Sequence, residues 1–200
     1  MINRVKNMLV SPKAEWPVVA AENSSHAKVF MGYVVPLALI PAIAAFIGYG
    51  LIGHSVLGFK IVGIGIGVSQ AVVQYITMLV GVYVTAFIID ALATGFGAKK
   101  DFNQAFSLVA YSYTPMFVAG VFNLLPALSL LAMLAGLYSL YLLYIGLQPM
   151  MKVPTEKQTA YFIVSLLVMI VVSVVLSIIL GAILLSGAVG SLMSFKHFNT

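Results

Sequence analysis

The sequence predicts an all-α polytopic integral membrane protein, a bundle of five transmembrane helices with a short interfacial N-terminal helix. Composition and charge placement predict this class. Of the 200 residues, 62% are hydrophobic and only 8% are charged, whereas soluble domains carry about 25% charged residues. The charges lie almost wholly between apolar runs, and five of these runs are long enough to cross a bilayer core of about 30 Å. These features exclude a water-soluble globular protein.

The N-terminal segment MINRVKNMLVSPKAEW precedes the first apolar run. It spaces Ile2, Val5 and Leu9 at helical intervals and keeps Arg4 and Lys6 off that face. This pattern predicts a short amphipathic helix in the cytoplasmic interface of the membrane. The alternative is a disordered basic lead-in. The predicted organisation is an interfacial segment at 1–28, a transmembrane domain at 29–190 and an external tail at 191–200.

The spans follow from the lengths of the apolar runs. Pro126 makes one division ambiguous, because it either starts a new helix or kinks one long segment. A tight turn is favoured, since the run from Ala105 to Leu147 has room for two crossings of about 20 residues each. The predicted spans are Val29–Ile52, Ile61–Ala93, Ala105–Leu125, Pro126–Leu147 and Thr159–Gly187.

The lysine and arginine residues predict the orientation of the chain. Eight of the ten fall in the N-terminal segment and in the second and fourth loops, while only Lys60 and Lys196 fall on the other side of a five-span chain. Cytoplasmic loops carry the excess of Lys and Arg. We therefore expect an inner (plasma) membrane protein with a cytoplasmic N-terminus and an external C-terminus. The residues expected to contact anionic lipid headgroups are Arg4, Lys6, Lys99, Lys100 and Lys152.

Polar and small residues inside the spans predict helix packing. Gln70 and Gln74 lie within one arc of the second span together with Thr77, Gly81 and Thr85. This stripe is predicted to face other helices, either through interhelical hydrogen bonds, which we favour, or along a water-filled path. Small residues spaced four apart on the fifth span indicate a further packing surface there and an oligomer contact.

Asp90 is the single acidic residue near the end of a long apolar run. Its direction is about 200° around the helix from Gln70, so it does not extend the glutamine stripe. One interpretation is a structural anchor at headgroup depth, which is favoured. The other is a site for a cation, a proton or a ligand, because ionisable residues in spans are functional candidates.

No pattern for catalysis or metal binding is present in the sequence. The five acidic residues form no close pair, the three histidines lie outside the spans without ligand spacing, and there is no cysteine. The positive charge belongs to loops that flank a membrane, which argues against nucleic-acid binding. We expect a protein that is not an enzyme and has no cofactor, with membrane lipids and a membrane protein or a second copy as partners.

Four stretches resemble the bacterial branch of the Ypt-interacting-protein (Yip) family of five-span membrane proteins. They are SPKAEWPVVAAE, LALIPAIAAFIG, AYSYTPMFVAG and YLLYIGLQPMMKVPTEK. The resemblance implies five transmembrane helices and a cytoplasmic N-terminus. Eukaryotic members are linked to vesicle trafficking and Rab-type GTPases, but their long N-terminal domain has no counterpart in these 28 residues, so GTPase binding is not carried over. No catalytic set comes with the family.

The resemblance also marks positions for testing. The stretch from Gly146 to Pro149 is expected to end a helix sharply and to present Lys152 and Lys157 to headgroups. The matching positions are Trp16, Tyr113, Thr114, Pro115, Tyr144, Gly146, Pro149, Pro154 and Lys157.

The sequence therefore favours a non-enzymatic membrane-organising or protein- and lipid-interaction component with a basic cytoplasmic face. The alternative function is a small transporter or channel for an ion, lipid or solute, which would use Asp90 and the stripe of Gln70 and Gln74.

Overall fold

The computed structural model describes residues 1–56, 59–124 and 128–197. Within those ranges, side chains are described except at 54–61, 129, 176–177, 179–180 and from 181 onward. The chain divides into two compact units, Met1–Phe162 and Ile163–Thr200.

The fold is all-α, as predicted. Five of its helices are long and apolar enough to cross a membrane: His26–Ile52, Ile64–Phe96, Phe102–Leu124, Leu130–Met151 and Thr155–Val175. We label the helices α1 (Ile2–Val10), α2 (Pro12–Glu22), α3 (His26–Ile52), α4 (Ile64–Leu92, extended by a 3₁₀ turn Ala93–Phe96), α5 (Phe102–Leu124), α6 (Ser129–Met151) and α7 (Thr155–His197).

The N-terminal segment forms two helices where the sequence predicts one short helix. Ser11 separates α1 from α2, and Pro12 occupies the first turn of α2, where its missing N–H costs no hydrogen bond. Asn23 ends α2 in the left-handed conformation with a φ of 44°. The disordered alternative is wrong for this segment, while its position at a membrane interface stays a prediction.

The starts of the spans differ from the prediction by a few residues, and two of these differences have a visible cause. Residues Phe59–Ile61 form strand β2, which pairs antiparallel with strand β1 (His54–Val56), so α4 begins at Ile64 rather than at Ile61. Helix α5 begins at Phe102, ahead of the predicted Ala105. Asp101 explains this earlier start, because its carboxylate accepts hydrogen bonds from the backbone N–H groups of Asn103 and Gln104 at 3.1 and 3.3 Å.

The ends of the fourth span also differ from the prediction. The predicted turn at Pro126 lies outside the described residues, which resume before α6 begins at Ser129. The expected helix exit between Gly146 and Pro149 is wrong, because α6 continues through Pro149 and ends at Met151. Lys152 then leaves the helix in the left-handed conformation, with a φ of 52°.

Helices α3 and α4 cross closely at a pair of glycines. A Cβ added to Gly67 would lie 2.6 Å from the Cα of Gly50 and 2.8 Å from the carbonyl oxygen of Phe46. No side chain fits there, so the backbones meet directly. Close backbone approach through small residues is how helices associate in lipid, where apolar burial gives little driving force.

Candidate functional site

Gly146 is required for the docking of the N-terminal helices on α6. Trp16 on α2 is only 1% exposed. A Cβ added to Gly146 would lie 2.7 and 2.8 Å from ring atoms of that indole, and it would also collide with Leu108 of α5. Two residues marked by the resemblance, Trp16 and Gly146, therefore make one packing contact between segments 130 residues apart in sequence.

Arg4 joins α1 to α2 and to α5. Its guanidinium donates to the carboxylates of Glu15 and Glu22, and it lies 5.4 Å from the centre of the Tyr111 ring. The Arg4 side chain is 16% exposed, and partial burial strengthens an ion pair relative to one on an open surface. The predicted headgroup role of Arg4 remains untested, and its single positive charge faces two carboxylates of the protein itself.

The second and fourth loops lie against each other. The backbone N–H of Lys99 donates to the carbonyl of Met151 at 2.8 Å. Gly97, with a φ of 71°, faces Pro154 and the ammonium of Lys157, which would lie 3.7 and 4.0 Å from an added Cβ. The second loop, with Lys99 and Lys100, therefore meets Lys152 and the first turn of α7, with Lys157, at one end of the unit Met1–Phe162.

The N-terminal helices reach this same end. The Gln104 side-chain amide, near the start of α5, donates to the carbonyl of Ala20 at 3.3 Å and to the Asn23 side chain at 2.7 Å. The structure thus brings together the three basic segments that the sequence assigns to one side. We call this surface the basic end. Its exposed lysines are Lys13, Lys28, Lys99, Lys100, Lys152 and Lys157.

Most lysines of the basic end have no acidic partner within the described part of the chain. Lys99 is the exception, with its ammonium 3.6 Å from the carboxylate of Asp101. Glu15 and Glu22 are occupied by Arg4, which leaves Glu156 as the exposed acid without an ion pair among the described residues. The basic end therefore carries a large uncompensated positive charge.

An open cleft of about 540 Å³ lies at the basic end. Lys13 and Trp16 line one wall, and Gln148 and Gln158 line the other. The Gln158 amide donates one N–H to the carbonyl of Tyr144 at 2.7 Å, and an amide has a second N–H that can donate to a ligand. The Lys13 ammonium and the amide N–H groups beside it can donate hydrogen bonds to a negatively charged group.

Hydrogen bonds hold the third span at the motif residues Tyr113 and Thr114. The Thr114 hydroxyl lies 2.7 Å from the Tyr33 hydroxyl of α3 and donates to the carbonyl of Tyr111 at 2.6 Å. The Tyr113 hydroxyl lies 3.1 Å from the hydroxyl of Thr85 on α4. These buried bonds tie α3, α4 and α5 together. Sequence reasoning missed Tyr33, because its partner lies 81 positions away.

The remaining motif positions lie at helix junctions. Pro115 is buried in the first turn that follows Tyr113. The Tyr144 hydroxyl lies 3.1 Å from that of Thr159 and connects α6 to the start of α7. Pro149 is inside α6 and lines the cleft, and Pro154 packs beside Gly97. In these contacts the motif residues pack or form hydrogen bonds where helices meet, which is a structural role.

Asp90 lies inside the unit, 8% exposed. Its Oδ1 atom is buried and has no hydrogen-bond partner among the described residues. The carbonyl of the preceding residue, Ile89, accepts a hydrogen bond from the Tyr161 hydroxyl, and the Tyr161 ring stacks on Phe96 with centres 5.1 Å apart. Sequence reasoning missed Tyr161, because only the folded chain brings α7 against the end of α4.

The glutamine stripe lies away from Asp90. Gln70 and Thr77 are exposed and Gln74 is half-buried on α4, and their direction differs from that of Asp90 by roughly half a turn of the helix. No hydrogen bond joins Gln70 or Gln74 to another side chain in the described residues. The structure therefore does not bring the two glutamines and Asp90 into one site. In the same described residues, no group of three His, Asp or Glu side chains could hold a metal ion.

This fold and surface define the class: a polytopic helical membrane protein with a basic end built from its N-terminal helices and two loops. The model of the Yip1 domain family matches residues 6–178, and the chain belongs to that family. It is similar to the inner membrane protein YohC of Escherichia coli strains K12 and O6:H1, with 28% identity over 127 residues in each case. The match covers 62% of this chain and 65% of each relative, just under two thirds of its length. No solved structure matches this chain.

Proposed function

We propose that this protein is a non-enzymatic membrane-organising component whose basic end binds anionic lipid headgroups. The supporting observation is the convergence of three lysine-bearing segments on one surface whose acids are mostly paired within the protein. A lysine or arginine near an anionic membrane surface contributes about 1 kcal/mol of binding free energy. Several unpaired lysines on one surface therefore add up to substantial attraction.

The predicted location of the basic end at the cytoplasmic surface supports the proposal. Cytoplasmic leaflets carry the anionic lipids, and the excess of Lys and Arg predicts that this end faces the cytoplasm. The Escherichia coli relatives are named as inner membrane proteins, which supports the same membrane for this chain. The cleft beside Lys13 is the best-defined position for a headgroup phosphate, since an ammonium and amide groups border it.

The test measures headgroup selectivity in detergent. Purified protein is titrated with short-chain phosphatidylglycerol or phosphatidylcholine, and the shift in the unfolding midpoint reports binding, because a ligand of the folded state stabilises it. We expect phosphatidylglycerol to stabilise the protein more than phosphatidylcholine, and the difference to shrink at 1 M salt, where charges are screened beyond about 3 Å.

Matched variants locate the binding surface. We expect the combined change Lys13→Gln, Lys152→Gln and Lys157→Gln to weaken phosphatidylglycerol binding by at least tenfold, since each lysine contributes about 1 kcal/mol. The control is Lys60→Gln, at a lysine predicted to lie on the opposite side. Equal affinity for the two lipids, or an equal effect of the triple variant and the control, would refute the proposal.

Asp90 favours transport as a second candidate function. Its buried Oδ1 atom lacks a partner among the described residues, and an unpaired carboxylate within a span is a candidate for proton or cation binding. A path within one copy would run past Asp90 and Tyr161, because the glutamine stripe lies on the other side of α4. Proton or cation flux into proteoliposomes that disappears in Asp90→Asn would support this candidate. Absence of flux in the wild-type protein would refute transport, and membrane organisation would remain as the one proposed function.

A further inference from the structure

The stripe on α4, as far as Thr77, presents polar side chains outward in the first half of a transmembrane helix. Gln70 and Thr77 are exposed and Gln74 is half-buried. None of the three side chains forms a hydrogen bond within the described residues. Exposed apolar neighbours flank them: Val73, at 59% exposed, and Val80, at 48%. An amide on such a surface would face lipid, where water does not supply the missing hydrogen bonds.

The position of Gln74 along α4 places it inside the hydrocarbon core. The helix Ile64–Phe96 has 33 residues and is about 50 Å long at 1.5 Å per residue. The bilayer core is about 30 Å thick, so a centred helix extends about 10 Å beyond it at each end. Gln74 lies about 15 Å from the start of the helix. Its amide is therefore within the core, where an unpaired polar group costs several kcal/mol.

The spacing of the stripe is that of a helix–helix contact. Gln70, Gln74, Thr77 and Gly81 follow one another at intervals of four, three and four residues, which is the 3.5-residue repeat of left-handed helix pairs. A Cβ added to Gly81 would meet nothing within 4 Å, so space is open for a partner helix. Most transmembrane helix pairs cross in this left-handed geometry.

We infer that this stripe is the interface between two copies of the chain, in which the Gln74 amides pair across a twofold axis. A glutamine amide carries both donors and an acceptor, so it is complementary to itself. Two copies inserted in the same orientation place Gln74 at the same depth, and a twofold axis along the membrane normal brings the same patch of each copy together. A partner of another sequence would need a polar group at the matching depth, whereas a second copy has one.

Cysteine crosslinking in native membranes tests this interface directly. The chain has no cysteine, so Gln74→Cys and Thr77→Cys each introduce a unique thiol into the full-length protein. A disulfide requires Cβ atoms about 3.5–4.5 Å apart, which only a close and symmetric contact provides. The matched control is Val72→Cys, which is exposed on the same helix at a similar depth but faces away from the stripe.

Oxidation is expected to produce an adduct of twice the chain mass of 21.3 kDa from the stripe cysteines and little from Val72→Cys. Two differently tagged copies in one adduct would identify the partner as this chain. Three outcomes would overturn the inference: no adduct from the stripe, equal adduct from Val72→Cys, or an adduct whose mass and tags show another protein.

Energy transfer between labelled copies in liposomes gives a second measurement that does not depend on disulfide chemistry. Hydrogen bonds between helices in membranes contribute about 0.6 kcal/mol each on average, so loss of a reciprocal pair weakens the dimer by about tenfold. We expect this from Gln74→Leu, partial recovery with Gln74→Asn, and no change with Val72→Leu. Unchanged or tighter association of Gln74→Leu would contradict the assigned interface.

Discussion

At the residue scale, buried polar side chains determine how the helices are joined. The Tyr33 hydroxyl lies 2.7 Å from that of Thr114, which in turn donates to the carbonyl of Tyr111. This arrangement satisfies a threonine just before Pro115, where the backbone lacks an N–H. Near the basic end, the charged side chain of Arg4 is likewise satisfied, by ion pairs with Glu15 and Glu22. Single contacts of this kind link segments that are far apart in the chain.

The change Tyr33→Phe removes one buried hydrogen bond and keeps the ring. We expect the free energy of unfolding to fall by about 1 kcal/mol, the usual net contribution of such a bond. Denaturant titration in detergent micelles measures this value. The control is Tyr141→Phe, since the Tyr141 ring is 42% exposed and its hydroxyl has no hydrogen bond in the described structure. Equal losses for the two variants would contradict the assigned bond.

At the element scale, glycines determine where helices come close. Gly67 of α4 meets Gly50 of α3, Gly120 of α5 packs on Pro41, and Gly146 accommodates Trp16. In each case an added Cβ would collide with backbone, with a proline ring or with a buried side chain. A Cβ added to Gly65 or Gly136 would meet nothing within 4 Å. The sequence alone therefore does not show which glycines are needed for close helix packing and which are not.

The pair Gly67→Ala and Gly65→Ala tests the crossing of α3 and α4. An alanine at 67 would force the two backbones apart, and we expect a loss of about 1–3 kcal/mol of stability, the range for overpacking. An alanine at 65 meets nothing within 4 Å and is expected to leave stability unchanged or slightly higher. The fraction of protein that stays folded in a sodium dodecyl sulfate titration reports both values. Similar results for the two alanines would show that this crossing is not tight.

The docking of α1 and α2 depends on Arg4. We expect Arg4→Gln to loosen these helices, because Glu15 and Glu22 then lose their counter-charge. The protein has one tryptophan, and Trp16 is almost fully buried by this docking, so its fluorescence reports the change. Acrylamide quenching should be weak in the wild-type protein and stronger in Arg4→Gln. The control Lys6→Gln removes an exposed charge that has no ion pair in the described part of the chain, and quenching that rises equally in it would rule out a specific role for Arg4.

At the scale of the whole molecule, the placement of charge distinguishes one end of the unit Met1–Phe162. Three segments separated by spans contribute exposed lysines to the basic end, and contacts such as that between Lys99 and Met151 hold them together. The sequence anticipates this grouping, since every second loop of a bundle lies on the same side. The side of the membrane on which the basic end lies stays a prediction.

Reporter fusions test the orientation of the whole chain. Five spans place the two termini on opposite sides, and the lysine excess predicts a cytoplasmic N-terminus. Alkaline phosphatase fused after Thr200 is expected to be active, because it folds only outside the cytoplasm, and green fluorescent protein fused before Met1 is expected to fluoresce. Termini found on the same side would mean an even number of crossings and would overturn the five-span topology.

The membrane class, the five spans and the grouping of the lysines could be predicted from the sequence, because the hydrocarbon core requires long apolar helices and these are visible as apolar runs. The positions of the polar side chains emerged from the folded chain alone. Folding paired Arg4 with two acids, buried Asp90 beside the segment containing Tyr161, exposed Gln70 and carried α6 past Pro149. Each of these outcomes depends on residues that are distant in the chain. Helical periodicity identifies the faces of one helix, but it does not show which face contacts another helix.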